Sequence, residues 1–242
     1  MAYRLLAWLI FWEVMGGVRA IGQTQPADST SLTIRPTDDF TVNGLGDHPA
    51  WAKTDWLTIS AQKARPKPLT TRAKLLYSTT GLYVLFRCDD ETLTATIETD
   101  YGPLYNEDVV EIFLWPDTSV PIYFEYELSP LNYELPLLVP NLNNKFMGWK
   151  PWQYGPRERV QHATSAWGGD KRSRASVSGW VAEFFIPYRL LSPIVQTPPN
   201  RGTRWRGNLY RIDYDRGYAT WAWQKTGGSF HEFGRFGTLI FE

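Results

Sequence analysis

The sequence predicts an all-β protein: an antiparallel β-sandwich of Ig-like or jelly-roll-like type, folded as a single domain. Three observations carry that expectation. From about residue 36 onward, short runs alternate apolar and polar residues with period two, and clusters of Gly, Pro, Asn and Asp separate them. No segment sustains a helical period, and "PYRLLSP" (187–193) has room for a single helical turn. The 43% apolar content, with twelve Trp residues, supplies a substantial core. Many short strands joined by turn signals are the pattern of two sheets packed face to face.

The N-terminus reads as a targeting segment. Arg4 supplies a positive start, "LLAWLIFWEVM" an apolar run interrupted by Glu13, and "VRA" ending at Ala20 a small-residue cleavage site. A transmembrane anchor needs roughly 20 apolar residues, more than this run offers. The expectation is a signal peptide over 1–20, a secreted or periplasmic bacterial protein, and no membrane span after cleavage. Residues 21–35, "IGQTQPADSTSLTIR", are polar and turn-rich and read as a leader, which leaves 36–242 for the sandwich.

Within 36–242 the clearest strands are "TRAKLLYST" (71–79) and "LYVLFRCD" (82–89), a hairpin turning at Thr80-Gly81. Next come "VVEIFLW" (109–115) and "IYFEYELS" (122–129), joined through Pro116 and Asp117. "RSRASVSGWVAEFFIP" (172–187), "RWRGNLYRIDYD" (204–215) and "FGTLIFE" (236–242) complete the set. Residues 130–170, rich in Pro, Asn and aromatics, read as a long loop, and loops of that length are functional or disordered. Trp149, Trp152 and Tyr154 argue for order, either by capping an open end of the sandwich or by touching a ligand.

Net charge is zero and no long basic run exists, so nucleic acid, which needs a clustered positive field, is not an expected partner. The single cysteine, Cys88, excludes an intrachain disulfide. "CDDE" (88–91) and "NED" (106–108) are oxygen-rich stretches of the kind calcium accepts, without the spacing of a defined calcium loop.

Chemistry concentrates in "LYNEDVVEIFLWP" (104–116). Alternation puts Val109, Glu111 and Phe113 on one face and Val110, Ile112 and Leu114 on the core face. On the next strand Ile122, Phe124, Tyr126 and Leu128 share a face, and Tyr123, Glu125 and Glu127 share the other. If the two strands pair, Glu111 comes near Glu125 or Glu127 on a polar face bordered by Tyr105. A partly desolvated carboxylate there accepts charge-assisted hydrogen bonds from hydroxyl groups. A ring beside it would cover the apolar face of a sugar. The same pattern also describes an exposed sheet face with solvated acids.

Five stretches taken in order, "VNGLGDHPAW" (42–51), "GLYVLFRCDD" (81–90), "LYNEDVVEIFL", "SGWVAEFFIP" (178–187) and "SFHEFGRFGTLIF" (229–241), resemble the family 9 carbohydrate-binding modules. More closely, they resemble an uncharacterised subgroup of secreted bacterial proteins grouped with those modules. The resemblance covers about 36–242 and implies a non-catalytic β-sandwich that holds a sugar ring between two aromatic side chains. Its first wall, six residues before a strand Glu, falls at Tyr105 before Glu111. Its second, six residues before a Phe-Gly, falls at Phe230 before Phe236-Gly237. Both positions hold Trp in the family. A family Arg falls at Glu125, which reverses a charge in the pocket, and a strand Asn falls at Asn208. Trp149 and Trp152 would extend the site, and the partner would be a poly- or oligosaccharide. The resemblance also implies that no cofactor is required, with a structural calcium compatible with the acidic loops.

Two further function classes remain open on the sequence. A glycoside hydrolase would use paired carboxylates drawn from Glu111, Glu125 and Glu127. A structural or protein-interaction sandwich would keep the frame with a vestigial pocket. His48, His162 and His231 are scattered and form no Ser-His-Asp arrangement, so each reads as a surface or hydrogen-bonded residue.

Overall fold

The computed structural model describes residues 30–63, 67–143, 145–195 and 197–242. The segment read as a signal peptide lies outside the described residues, as does the leader up to residue 29. The strands are β1 Ser31–Pro36, β2 Leu57–Ala61, β3 Thr71–Tyr77, β4 Gly81–Asp89, β5 Val109–Trp115, β6 Ile122–Leu128, β7 Glu134–Leu142, β8 Lys145–Phe146 and β9 Lys150–Pro151. After them come β10 Gln161–Trp167, β11 Gly179–Pro187, the helical turn α1 Tyr188–Leu191, β12 Arg204–Asp213, β13 Ala219–Ala222 and β14 Gly237–Phe241.

Two sheets face each other. The front sheet runs β14-β12-β5-β6-β7, and the back sheet runs β3-β4-β11-β10. β1 joins them along one side: Ser31–Ile34 pair with β14, and Arg35 and Pro36 pair with β3. β13 and β2 make a second link, from β12 to β3. Both β1 pairings are parallel, so the sandwich is mixed rather than purely antiparallel.

Alternation dictates the core. Val110, Ile112 and Leu114 of β5 and Phe124, Tyr126 and Leu128 of β6 meet Val84, Phe86, Trp180 and Phe184 of the back sheet. Burying a side chain of this size contributes about 1.5–3 kcal/mol, so this inter-sheet layer is the main source of stability. Each sheet also covers its outer face. Over the front sheet, Val109, Phe113, Tyr123, Leu137 and Tyr210 are roofed by Leu104, Phe233 and Phe236 from connecting segments. Over the back sheet, Tyr83, Leu85, Val181 and Phe185 are roofed by Trp51 and Val42.

Three sequence expectations are corrected. Residues 31–35 are not leader but most of β1, because Ile34 is fully buried and the segment pairs with β14 through Ser31–Ile34 and with β3 from Arg35. The long loop over 130–170 holds two full strands, β7 and β10, and the two-residue strands β8 and β9. Pro136 and Pro140 disguise β7; they are tolerated because β7 borders the front sheet, with only the short β8 and β9 on its far side. Their carbonyls still accept, from Trp152 N at 2.8 Å and Met147 N at 3.0 Å. Finally, the strand expected over 172–187 begins only at Gly179.

Candidate functional site

The outer face of β5, β6 and β12 gathers three carboxylates. Pairing sets Glu111 opposite Glu127 on one side and opposite Tyr210 on the other. Phe113 lies opposite Glu125 and Asn208. Like charges directly across an antiparallel pair are destabilising, yet these are buried too: Glu111 is 2% exposed, Glu125 4% and Glu127 1%.

The roof comes from three separate segments. Tyr105 stands in the short 3-10 turn Leu104–Asn106, its ring centroid 5.9 Å from that of Trp149. Phe230 lies flat on Tyr210, centroids 4.0 Å apart and planes 9° apart. The Tyr210 hydroxyl donates to the Phe230 carbonyl at 2.9 Å and accepts from Asn208 Nδ2 at 2.6 Å. His231 stacks on Phe146 at 4.1 Å, and its Nδ1 is 2.7 Å from the Tyr123 hydroxyl. Phe146 and Trp149 belong to the β8–β9 excursion and remain partly open to solvent.

Burial dominates the electrostatics. It pushes the Glu111 and Glu127 carboxyls well above the ordinary range, and their mutual proximity and that of Glu125 add to the push. Burial raises Glu125 to about 8. Burial also pulls His231 down to about 4, so the imidazole 3.8 Å from Glu125 is neutral at pH 7 and offers no counter-charge. Among the described residues, no lysine or arginine forms an ion pair with any of the three glutamates. Glu125 Oε2 and Glu127 Oε2 are buried without a protein hydrogen-bond donor.

Of the residues singled out from sequence, Tyr105, Glu111, Glu125, Phe230, Asn208 and Trp149 come together here. Phe230 is not a free wall, since Tyr210 already covers one of its faces. Asn208 is a clamp: its Nδ2 donates to Gln224 O at 2.9 Å and its Oδ1 accepts from Gln224 N at 2.9 Å, which anchors the segment leading to Phe230. Trp152 is elsewhere. It packs edge-on to Phe124 of the inter-sheet core, centroids 5.8 Å apart, so it caps the core rather than extending the site. Tyr154 likewise serves the frame, donating to Glu134 at 2.6 Å. The sequence reading missed Tyr123, Tyr210, Phe146 and His231 as site residues. The aromatic alternation of β6 and β12 carried a signal for the first two, and no local pattern marks the others.

The two acidic stretches also meet, at a second cluster. Asp90 and Asp213 flank the fully buried Arg211 guanidinium at 3.0 and 2.9 Å. Asp108 accepts from Tyr214 N and Thr94 N, and Asp215 from Thr92 N and Thr94 Oγ1. Asp90, Asp213 and Asp215 each offer an oxygen within 4.8 Å of the others. Hard oxygen donors at that spacing fit calcium in type, and Arg211 already balances part of their charge. The remaining acids of those stretches act locally: Glu107 binds Thr96 and Ile97, and Glu91 pairs with Lys67 and Arg216.

A separate cleft of about 700 Å³, lined by Thr80, Arg157, Arg159, Tyr188 and Arg189 among others, shares no residue with the glutamate site.

Residues 42–136 match the family model described as carbohydrate family 9 binding domain-like. That segment contains Tyr105, Glu111, Glu125 and Glu127; Phe230 and His231 lie beyond it. No curated protein matches the sequence. Among solved structures, the chain is similar to a Bacteroides uniformis protein assigned provisionally to carbohydrate binding, with a TM-score of 0.72 and 16% identity over 88% of this chain and 99% of that one. It is also similar to a family 9 carbohydrate-binding module from Caldicellulosiruptor kristjanssonii, solved with cellotriose. That match has a TM-score of 0.62 and 17% identity, over 88% of this chain and 93% of the module. The glucose complex of a family 9 module from the same organism gives a TM-score of 0.60 at 17% identity, covering 88% of this chain and 95% of that one. At this identity the likeness establishes the fold alone, an almost wholly β sandwich.

Proposed function

We propose that this protein binds carbohydrate without transforming it, on the outer face of the front sheet. The observation that carries the reading is the trio Glu111, Glu125 and Glu127, buried under an aromatic roof, with one oxygen each of Glu125 and Glu127 lacking a donor. A carboxylate in that state lacks the hydrogen bonds it would make in water, and burying it so costs several kcal/mol. A polyhydroxylated ligand supplies both donors and acceptors to such groups, and each hydrogen bond contributes about 0.5–1.5 kcal/mol. Tyr105 and Phe230 would cover the C–H faces of the ring, and Trp149 would extend the cover. Because the glutamates are almost inaccessible, entry requires the roof to part, and the β8–β9 excursion that carries Phe146 and Trp149 is its most exposed piece. The family-model match over 42–136 supports the same ligand class. At the second cluster, Asp90, Asp213 and Asp215 would hold a calcium ion if one binds, tying the Asp90 loop to the end of β12; sugar binding does not pass through it.

Calorimetric titration of the protein with a panel of oligosaccharides tests the proposal. The expected result is saturable binding that is lost in Glu111→Ala and in the pair Tyr105→Ala, Phe230→Ala. Unchanged affinity in both variants would remove this site from the account. Buried glutamates with raised pKa values also satisfy a requirement of glycosidic cleavage. Release of reducing sugar from the same panel would therefore replace binding by hydrolysis as the function.

A further inference from the structure

Resting on that reading, we infer that the sugar taken by this site carries an amine, and that its ammonium group sits among Glu111, Glu125 and Glu127. The inference starts from charge. Three carboxylates share one desolvated face, and the groups packed against them are Tyr123 of β6, Tyr210 of β12, the Tyr105 turn, and His231 from the segment before β14. Not one of these is a cation at neutral pH. The contrast inside the same molecule is Arg211, which the fold provides where Asp90 and Asp213 are buried. The glutamate trio has no such residue, so the counter-charge has to be a proton or a ligand.

Donor arithmetic points the same way. Glu125 Oε2 and Glu127 Oε2 both lack a donor. An ammonium offers three N–H donors from one atom and adds a full positive charge, whereas a sugar hydroxyl offers one donor and none. Charge-assisted bonds of the ammonium–carboxylate kind are roughly twice as strong as neutral ones. The aromatic roof of Tyr105, Phe146, Trp149 and Phe230 gives a ring that carries the ammonium a cover. The chemical class is therefore a glucosamine-type sugar with a free amine, as a monosaccharide or as part of an oligomer.

The test is a calorimetric comparison, at pH 6.5, of three trisaccharides: the glucosamine trimer, its fully N-acetylated form and cellotriose. The expected outcome is that the glucosamine trimer binds at least tenfold more tightly than the other two and that Glu125→Gln abolishes the preference. The variant is nearly isosteric, and its fold is checked by its thermal transition. Cellotriose or the acetylated trimer binding as tightly as the amine would overturn the ligand class while leaving the sugar site standing. A preference that survives in Glu125→Gln would overturn the placement of the amine. If none of the three binds, and a wider panel of neutral oligosaccharides is silent too, the sugar-binding reading fails and the inference falls with it.

Discussion

Glu183 in the middle of β11 and Glu125 in the middle of β6 are both buried glutamates on the outer face of a sheet, yet their surroundings differ in kind. Glu183 is saturated by the protein. Trp51 Nε1 donates to Oε1 at 2.7 Å, and the Asn43 and Gly44 amides donate to Oε2 at 2.9 and 2.8 Å. Gly44 is needed for this approach: its φ is 80°, and a Cβ there would stand 2.7 Å from the Thr164 nitrogen. The back face has thus spent three donors, one of them a tryptophan, and a turn that requires glycine on one carboxylate. Around Glu125, Glu127 and Glu111 the front face spends far less, and two buried oxygens remain without donors. The difference teaches that burial alone does not mark a functional acid. A saturated carboxylate is a structural rivet, while an unsaturated one stores an interaction for something that arrives from outside.

The strongest way to break the comparison is on the back face. Glu183→Leu leaves three donors orphaned, each costing about 1–3 kcal/mol. The expected result is a fall in Tm of ~10 °C or more, at about 2–4 °C per kcal/mol for a chain of this size, read by differential scanning calorimetry. A neutral outcome would mean that the Trp51–Gly44 arrangement is not a rivet. The front face should respond with the opposite sign. Glu125→Gln or Glu127→Gln replaces an acid that must take up a proton on folding, so at pH 8 Tm should rise by ~2–8 °C, about 1–2 kcal/mol, while sugar affinity drops. A Tm that falls in both variants would place these carboxylates among the rivets.

A third prediction concerns pH. Burial raises the Glu125 carboxyl from 4.5 to about 8, so between those values the folded state holds a proton that the unfolded chain has released. By linkage the stabilisation is complete below about pH 4.5 and is lost as pH rises through about 8. Asp90, raised from 3.8 to about 7 by burial, adds to the same trend. Unfolding free energy from urea titrations should therefore decline from pH 5 to pH 8, and less steeply in Glu125→Gln. The smallest effect is expected at the roof. Phe146 is partly exposed, so Phe146→Ser should cost less than about 1 kcal/mol of stability. It uncovers His231, however, whose pKa should move up from about 4 toward 6.5 in an NMR titration.

The two faces also differ in how much of them the sequence discloses. Strict alternation defined β5 and β6 to within a residue and put Glu111, Glu125 and Glu127 on a common outer face, because one buried face fixes the parity of a strand. Register was not legible, since nothing local says that Glu111 meets Glu127 rather than Glu125. Of the strands that escaped, β7 and β10 border the two sheets, while β1, β2 and β13 are the short links between them. Bordering strands shed alternation and take up Pro and small polar residues that discourage pairing with other chains, which is how Pro136, Pro140 and "QHATSAW" came to resemble loop. Phe146 and His231 come from segments distant in sequence, and their stacking is a tertiary event with no local signature. Trp152 carried a strong local signal and went the other way, because aromatic richness reports that a ring will be covered and not which layer will cover it.

The most direct test of the central claim is calorimetric titration of the folded protein, wild type beside Glu125→Gln, across a broad set of oligosaccharides. The account predicts saturable binding by wild type and a loss of at least tenfold in affinity in the variant, whose thermal stability at pH 8 is higher. A folded wild-type protein that binds none of them, or a variant that binds as wild type does, would contradict it.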